Sequence, residues 1–267
     1  MPRVSVIMGV YNCKRLDLLE KSIYSIINQT YTDWEFLICN DGSSDENTLK
    51  SLKEYERIDS RIRILSYEDN QGLSYALNTC IKQSKGEYIV RQDDDDESKP
   101  QRIQQLVSFM DKHPEYAVVG SLADVVDDRG VWGGYELEEI PSKKSFYWNS
   151  PFIHPSVIMR RIALEEVCGY RVAKETGRCE DYDLFMRMYA AGYKGYNIQE
   201  RLYKYRIVID NKKYRPMKTR IEEARVRYSG YKLLGLLPAG MVFVLKPIVI
   251  GLIPQGIFKK IRKKQYS

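Results

Sequence analysis

Tyr88-Ile89-Val90-Arg91-Gln92-Asp93-Asp94-Asp95-Asp96 is an apolar run that ends in four consecutive aspartates, shortly before Pro100 and a helical pattern. It places a packed carboxylate cluster where a strand stops. Like charges on adjacent residues destabilise a compact state unless solvent or a bound cation offsets their repulsion. Oxygen-only ligands suit a hard ion such as magnesium, manganese or calcium rather than zinc. Taken alone, the run also reads as a solvated acidic turn. The surrounding sequence decides.

Working outward, residues 1–122 alternate strand and helix, with strands expected at 4–11, 34–40, 62–67, 87–91 and 116–121. Such alternation predicts an α/β fold, a mostly parallel sheet with crossover helices. Leu73, Ala76, Leu77, Cys80 and Ile81 recur at helical spacing, and Ile103, Leu106, Val107 and Met110 repeat the pattern, so each helix shows one apolar face. Pro100 suits the first turn of the second of these. Ser43-Ser44-Asp45-Glu46 has capping-box spacing and predicts a helix start directly after Asn40-Asp41-Gly42. Beyond residue 123 the alternation stops and the chain reads as α+β, dense in aromatics: Trp132, Tyr135, Phe146, Tyr147, Trp148 and Phe152. These are core and rim, or a platform for the apolar face of a sugar ring.

In an open parallel sheet, ligands bind beyond the carboxyl ends of the strands. Here the first strand ends in Val10-Tyr11-Asn12, the second in Asn40-Asp41-Gly42-Ser43-Ser44-Asp45, the third runs toward Asp69-Asn70-Gln71-Gly72, and the fourth ends in the aspartates. Each loop singly is a good turn; four on one rim make a site. Neither GxGxxG nor GxxxxGK[ST] occurs, so no dinucleotide fold or P-loop is supported. Five scattered cysteines without CxxC spacing read as reduced core residues, which favours the cytosol and argues against zinc or redox chemistry. The start of the chain runs straight into a strand, with no signal-peptide pattern.

Six motifs in order now carry a specific resemblance. They are Val4-Ser5-Val6-Ile7 with Val10-Tyr11-Asn12, Asn40 to Asp45, Asn70-Gln71-Gly72-Leu73 with Asn78, Gly86-Glu87-Tyr88-Ile89 into Asp93 to Asp96, His154-Pro155-Ser156, and Glu180-Asp181-Tyr182-Asp183-Leu184. Across residues 3–207 the chain resembles family 2 glycosyltransferases of the GT-A fold. The resemblance implies inverting transfer of a sugar from a nucleotide donor, with a divalent metal, manganese or magnesium, on a DxD motif. The usual form is Asp-Ala-Asp-Asp, whereas Asp94 adds a carboxylate here.

Carried over by residue, the resemblance puts Tyr11 and Asp41 at the nucleobase with Asn12 and Asn70 nearby, Asp93 near the ribose, Asp94 beside it, and Asp95 with Asp93 on the metal. A carboxylate such as Asp41 can accept from uracil, thymine or guanine, so the base stays open. An inverting displacement needs a general base for the acceptor hydroxyl. The resemblance assigns that role to Asp181, at the start of an amphipathic helix whose N-terminus favours an ionised carboxylate. Glu180 and His154 fall on the acceptor side. Read without the family, Glu180 and Asp181 cap the helix, Asp183 pairs with Arg187, and His154 is a satisfied core residue. His113 reads as a helix-end residue.

All 36 acidic residues precede residue 224, and nine of the 42 Lys and Arg follow it, so residues 1–223 carry a net −3 and the remainder +9. Residues 233–254 hold one charge, Lys246, and Lys259-Lys260-Ile261-Arg262-Lys263-Lys264 follows. A span needs about 20 apolar residues, but Lys246-Pro247 and Pro238 divide this stretch. Helices in the membrane interface, with the basic cluster on anionic headgroups, are the expected form. A true span and a helical pair packed on the domain are the alternatives. Nucleic-acid binding leaves the apolar run without a role.

With the resemblance, these features imply a lipid-linked glycan acceptor in bacterial capsule, exopolysaccharide or O-antigen assembly, on the cytoplasmic face of the plasma membrane. Residues 1–122 would bind the nucleotide-sugar, 123–210 the acceptor, and 211–267 the membrane. The rivals are a sugar-nucleotide nucleotidyltransferase, a metal nuclease or phosphatase, and a non-catalytic membrane scaffold.

Overall fold

The computed structural model describes residues 1–208 and 215–252. Strands β1 (Val4–Val10), β2 (Trp34–Asp41), β3 (Ile62–Tyr67) and β4 (Tyr88–Arg91) alternate with helices α1 (Leu16–Ile27), α2 (Glu46–Ile58) and α3 (Leu73–Gln83). They form the parallel set β3-β2-β1-β4. After β5 (Glu97–Ser98) and α4 (Arg102–Lys112) come β6 (Tyr116–Asp127) and β7 (Gly130–Tyr135). Then follow β8 (Ile158–Arg160), α5 (Arg161–Glu166), α6 (Glu180–Ala190), β9 (Lys194–Arg206), α7 (Met217–Leu234) and α8 (Met241–Gly251).

Period-two side chains divide the core. Val4, Val6, Met8 and Val10 face α1 and α4, while Ile7, Leu37, Cys39 and Ile89 face α3 and the helices of the second half. The periodic α4 residues Ile103, Leu106, Val107 and Met110 are all buried, each contributing about 1.5–3 kcal/mol of apolar burial.

Several expectations need correction. The fifth expected strand, now β6, does not continue the parallel set. Three-residue β8 lies between β4 and β6, antiparallel to both, and is too short to show a period. β6 runs on to Asp127, so the expected boundary at 122/123 falls inside a strand that pairs with β9 along its length. Helix α2 is capped by Asp45, whose carboxylate accepts from Thr48 N at 2.7 Å, because Ser43 is engaged elsewhere. Pro100 lies in the turn before α4 rather than in its first turn. Of the five free cysteines, Cys39, Cys80 and Cys179 are buried, but Cys168 is exposed in a left-handed turn (φ 58°).

Helices α7 and α8 share the core of α5 and α6 through Ala224, Val226, Tyr231, Leu234, Leu236 and Val244. Buried Arg227 ties α7 inward, donating to Glu223 (3.1 Å), the Tyr231 hydroxyl (3.1 Å) and the carbonyl of Tyr147 (3.3 Å). Pro238 lies between the two helices as expected, but Pro247 does not divide the segment: α8 passes through it, with Pro247 buried. Packing here outweighs the one backbone hydrogen bond that proline removes. Lys246 turns back onto the Trp148 ring, 4.3 Å from its centroid, which leaves Val242, Leu245, Val249 and Leu252 exposed along one apolar stripe. Among the described residues no helix is long and apolar enough to cross a membrane. Residues 253–254 and the basic cluster 259–264 lie outside the described residues.

Candidate active site

Three loops at the carboxyl ends of β1, β2 and β3 are wired into one rim. Asn12, at a positive φ of 43°, donates its N–H to Ser43 Oγ (2.9 Å), and its Oδ1 accepts from Ser44 N (2.9 Å) and Asp45 N (3.0 Å). Buried Asp41 accepts from the Tyr67 hydroxyl (2.6 Å), Asn70 Nδ2 (2.8 Å), Gln71 N (2.8 Å) and Gly72 N (3.0 Å). Gly42 makes this closure possible: at φ 66°, a Cβ would stand 2.5 Å from Asn70 N.

The structure therefore brings Tyr11, Asn12, Asp41 and Asn70 together, with Tyr11 half exposed. Asn12 and Asp41, however, spend their side chains on neighbouring loops. A carboxylate offers about four acceptor positions, and four protein donors fill those of Asp41. A base could reach it only by displacing one of them.

At the end of β4 the aspartates separate into different roles. Asp96 turns inward, 1% exposed, and its Oδ1 accepts from Arg206 N at 2.6 Å. Burial, then Asp93 and Asp95, push its carboxyl well above the usual range. Asp93 is paired with the guanidinium of fully buried Arg91. Burial and the charges of Asp95 and Asp93 push Asp94 up to about 7. Asp95 keeps the most solvent access, yet burial and then Asp93 push it up to about 6. The repulsion expected from the sequence is thus felt by Asp94, Asp95 and Asp96, and Asp96 differs in being turned inward.

Beneath them lies a polar network that sequence reading missed. Gln92 Nε2 donates to Ser22 Oγ (2.9 Å), and buried Arg102 donates to Gln92 Oε1 (2.9 Å), Ser98 Oγ (2.7 Å) and the carbonyls of Arg91 and Pro155 (both 2.8 Å). Ser22 Oγ in turn holds the Asp93 carbonyl (2.6 Å). The available signal was Arg91-Gln92, a polar pair closing a buried strand.

On the acceptor side, Glu180 and Asp181 open α6, whose N-cap is Cys179, with no side-chain capping hydrogen bond. The helix-end N–H groups favour negative charge there, yet burial pushes Asp181 up to about 6, against the opposing backbone hydrogen bonds of Tyr182 and Asp181 itself, the charge of Arg215 and the bond from Ser150. Burial and then Asp181 push Glu180 up to about 7, and Glu180 Oε2 is buried without a hydrogen-bond partner among the described residues. Asp183 takes the structural part: it pairs with Arg187 (2.7 Å), as the sequence suggests, and with Arg171 (3.0 Å). His154 Nε2 meets the Tyr170 hydroxyl at 2.7 Å. Burial, then Arg91, hold its imidazole well below its ordinary value, so it is neutral at pH 7. Asn78 holds Tyr170 in place, accepting from its N–H (2.8 Å) and donating to its carbonyl (2.7 Å). His113 caps the end of α4 beside Glu115, as expected.

The two carboxylate groups lie within electrostatic reach of one another. Asp93 raises Glu180, and Arg91 lowers Asp94, Asp95 and Glu180 alike. Among the aromatics, Phe146 and Phe152 are core, whereas Trp148 is 65% exposed on the loop that carries Ser150.

A curled, mixed sheet, parallel from β3 to β4 and largely antiparallel beyond it rather than mostly parallel as expected, with flanking helices and an acidic rim at its strand ends, defines a GT-A-type glycosyltransferase. The chain belongs to glycosyl transferase family 2, whose profile matches residues 5–168. It is 38% identical to EpsE of Bacillus subtilis over 99% of this chain and 94% of that one. It is 26% identical to the UDP-Gal:alpha-D-GlcNAc-diphosphoundecaprenol beta-1,3-galactosyltransferase of Escherichia coli, over 98% of each. Its fold matches the S. aureus TarS fragment solved with UDP-GlcNAc at a TM-score of 0.71 and 18% identity, covering 98% of this chain and 79% of that one.

Proposed function

We propose that this glycosyltransferase is inverting and metal-dependent, and that it moves a sugar from a nucleoside-diphosphate donor to a hydroxyl of a lipid-linked glycan at the cytoplasmic face of the membrane. The observation that supports this reading is the set of raised carboxylates at the end of β4 together with a second raised pair at the start of α6, close enough for the charge of Asp93 to act on Glu180. The Escherichia coli relative, whose name gives a lipid diphosphate acceptor, supports the acceptor class. A non-catalytic scaffold has no use for the second pair, a nuclease would act without a sugar nucleotide, and a nucleotidyltransferase would release pyrophosphate.

Among the described residues no three His, Cys, Asp or Glu side chains are grouped to hold a metal. Magnesium and manganese bound with a nucleotide need only one or two carboxylates beside the phosphates, and the crowded oxygens of Asp93 and Asp95 fit that demand. A metal there would offset the charge that develops on the departing diphosphate. Tyr11, Asn70 and the loop shaped by Asn12 and Asp41 form the base pocket, with Asp94 beside Asp93. Asp181 accepts the acceptor hydroxyl's proton as that oxygen attacks the anomeric carbon and the sugar–phosphate bond breaks on the opposite face. Glu180 and His154 border the acceptor. The parallel set up to β4 with its aspartates serves the donor, the part from β6 to β9 the acceptor, and α8 the membrane.

A thermal-shift panel of uridine, thymidine and guanosine diphosphates, with and without manganese, tests the donor reading. One of them is expected to raise the melting point only with manganese. The manganese-dependent shift should shrink as pH falls from 8 to 5.5, because Asp94 and Asp95 protonate near 7 and 6 and a protonated carboxyl binds metal poorly. No shift with any diphosphate would sink the proposal.

For the membrane, the exposed stripe Val242, Leu245, Val249 and Leu252 supports an interfacial helix. Leu245→Glu with Val249→Glu should cut cosedimentation with anionic vesicles about tenfold or more while leaving the melting point unchanged. Equal sedimentation of both proteins refutes the contact.

A further inference from the structure

Arg15 follows β1, Asp128 sits at the tip of the β6–β7 hairpin and Arg206 ends β9, and the three meet beside the aspartates. Asp128 Oδ1 accepts from Arg15 Nη2 at 3.1 Å and from Arg206 Nη2. The Arg206 side chain is only 9% exposed, and its backbone N–H is fixed on Asp96 at 2.6 Å. Its charge reaches Asp95, where it opposes the upward shift. The Arg15 loop adjoins the same place, since its Cys13 feels the charges of Asp94 and Asp95. Two guanidinium groups converging on one exposed carboxylate, at the edge of a cation-seeking cluster, form an anion site with an internal anion in it.

Resting on the donor reading above, we propose that Arg206 and Arg15 form the cationic wall of the diphosphate subsite, and that Asp128 holds both guanidinium groups in place until the donor's diphosphate displaces it. Guanidinium forks match phosphate oxygens as well as carboxylates. Asp128 gains little from an exposed pair, so a diphosphate with two or more charges outcompetes it. Arg15 keeps Asp17 at 2.8 Å, which leaves its orientation defined during the exchange. Without Asp128 the two like charges would repel across an empty site.

Calorimetric titration of the full chain with inorganic pyrophosphate, with manganese and again with a chelator, isolates this subsite from the nucleobase. Asp128→Asn should bind pyrophosphate about three- to tenfold more tightly, and Arg206→Gln about tenfold more weakly, with the Arg206 effect persisting in chelator. The double variant should lose the gain, because the two side chains act on one another. Unchanged affinity in Asp128→Asn with an unchanged melting point overturns the placeholder role. If that variant is destabilised, Arg206→Gln decides, and wild-type affinity there overturns the wall. Binding that is equal in all variants ends this proposal alone, whereas no pyrophosphate binding by any of them ends the donor reading as well.

Discussion

Asp95→Ala is expected to abolish manganese-dependent binding of the nucleoside diphosphate and to lower turnover by about 10²–10³-fold or more. Asp95 is the most exposed of the four aspartates, and its carboxylate takes a hydrogen bond from its own backbone N–H. Its removal relieves repulsion from Asp93 and Asp94 instead of breaking a contact, so the melting point without metal should hold or rise. That separates it from Asp96, a buried residue whose loss disturbs β9 through Arg206. Calorimetry with manganese and the diphosphate, beside a melting curve, checks both statements. Normal donor affinity and turnover in Asp95→Ala would remove the metal assignment.

Asp181→Asn is expected to leave donor binding intact and to cut kcat by about 10²–10⁴-fold, the range for loss of a general base. The amide keeps the shape and can still meet Ser150, but it cannot take a proton. Because burial lifts Asp181 to about 6, the base form prevails above that value and is lost as pH falls through it. Wild-type kcat at saturating donor and manganese should therefore fall below about pH 6, and the residual kcat of Asp181→Asn should lack that limb, while the weakening of donor binding set by Asp94 and Asp95 persists in both. Glu180, lifted to about 7 and coupled to Asp181 by charge, titrates with it, so the profile reports the pair. A variant with normal turnover would exclude Asp181 as the base and turn attention to Glu180, whose Oε2 has no hydrogen-bond partner among the described residues.

The parallel half of the fold was legible because it is local. Alternating Val4, Val6 and Met8, and helical Leu73, Ala76, Leu77 and Cys80, each announce their element through period alone. The mixed half was not. Strand β8 is three residues long, and its insertion between β4 and β6 depends on a partner some 70 residues earlier. Pro247 reads as a breaker, yet contacts with α7 carry the helix through it.

The rim residues were legible as a set, since polar clusters at four strand ends are rare by chance. Their division of labour was invisible. Asn12 and Asp41 look like ligand contacts in sequence, but their hydrogen bonds go to loops 31 and 29 residues away. Asp96 looks like Asp95 in sequence and is its opposite in burial. Arg206 and Asp128, far apart in the chain, carry no motif at all.

Sequence alone determined the α/β class, the strand ends where chemistry gathers and the residue types available there, because periodicity and turn chemistry are properties of short stretches. Tertiary structure alone decided which carboxylate is buried, which is paired and which is left exposed. Charge and desolvation depend on what lies within a few ångströms in space, and neighbours in space are set by the whole chain's packing.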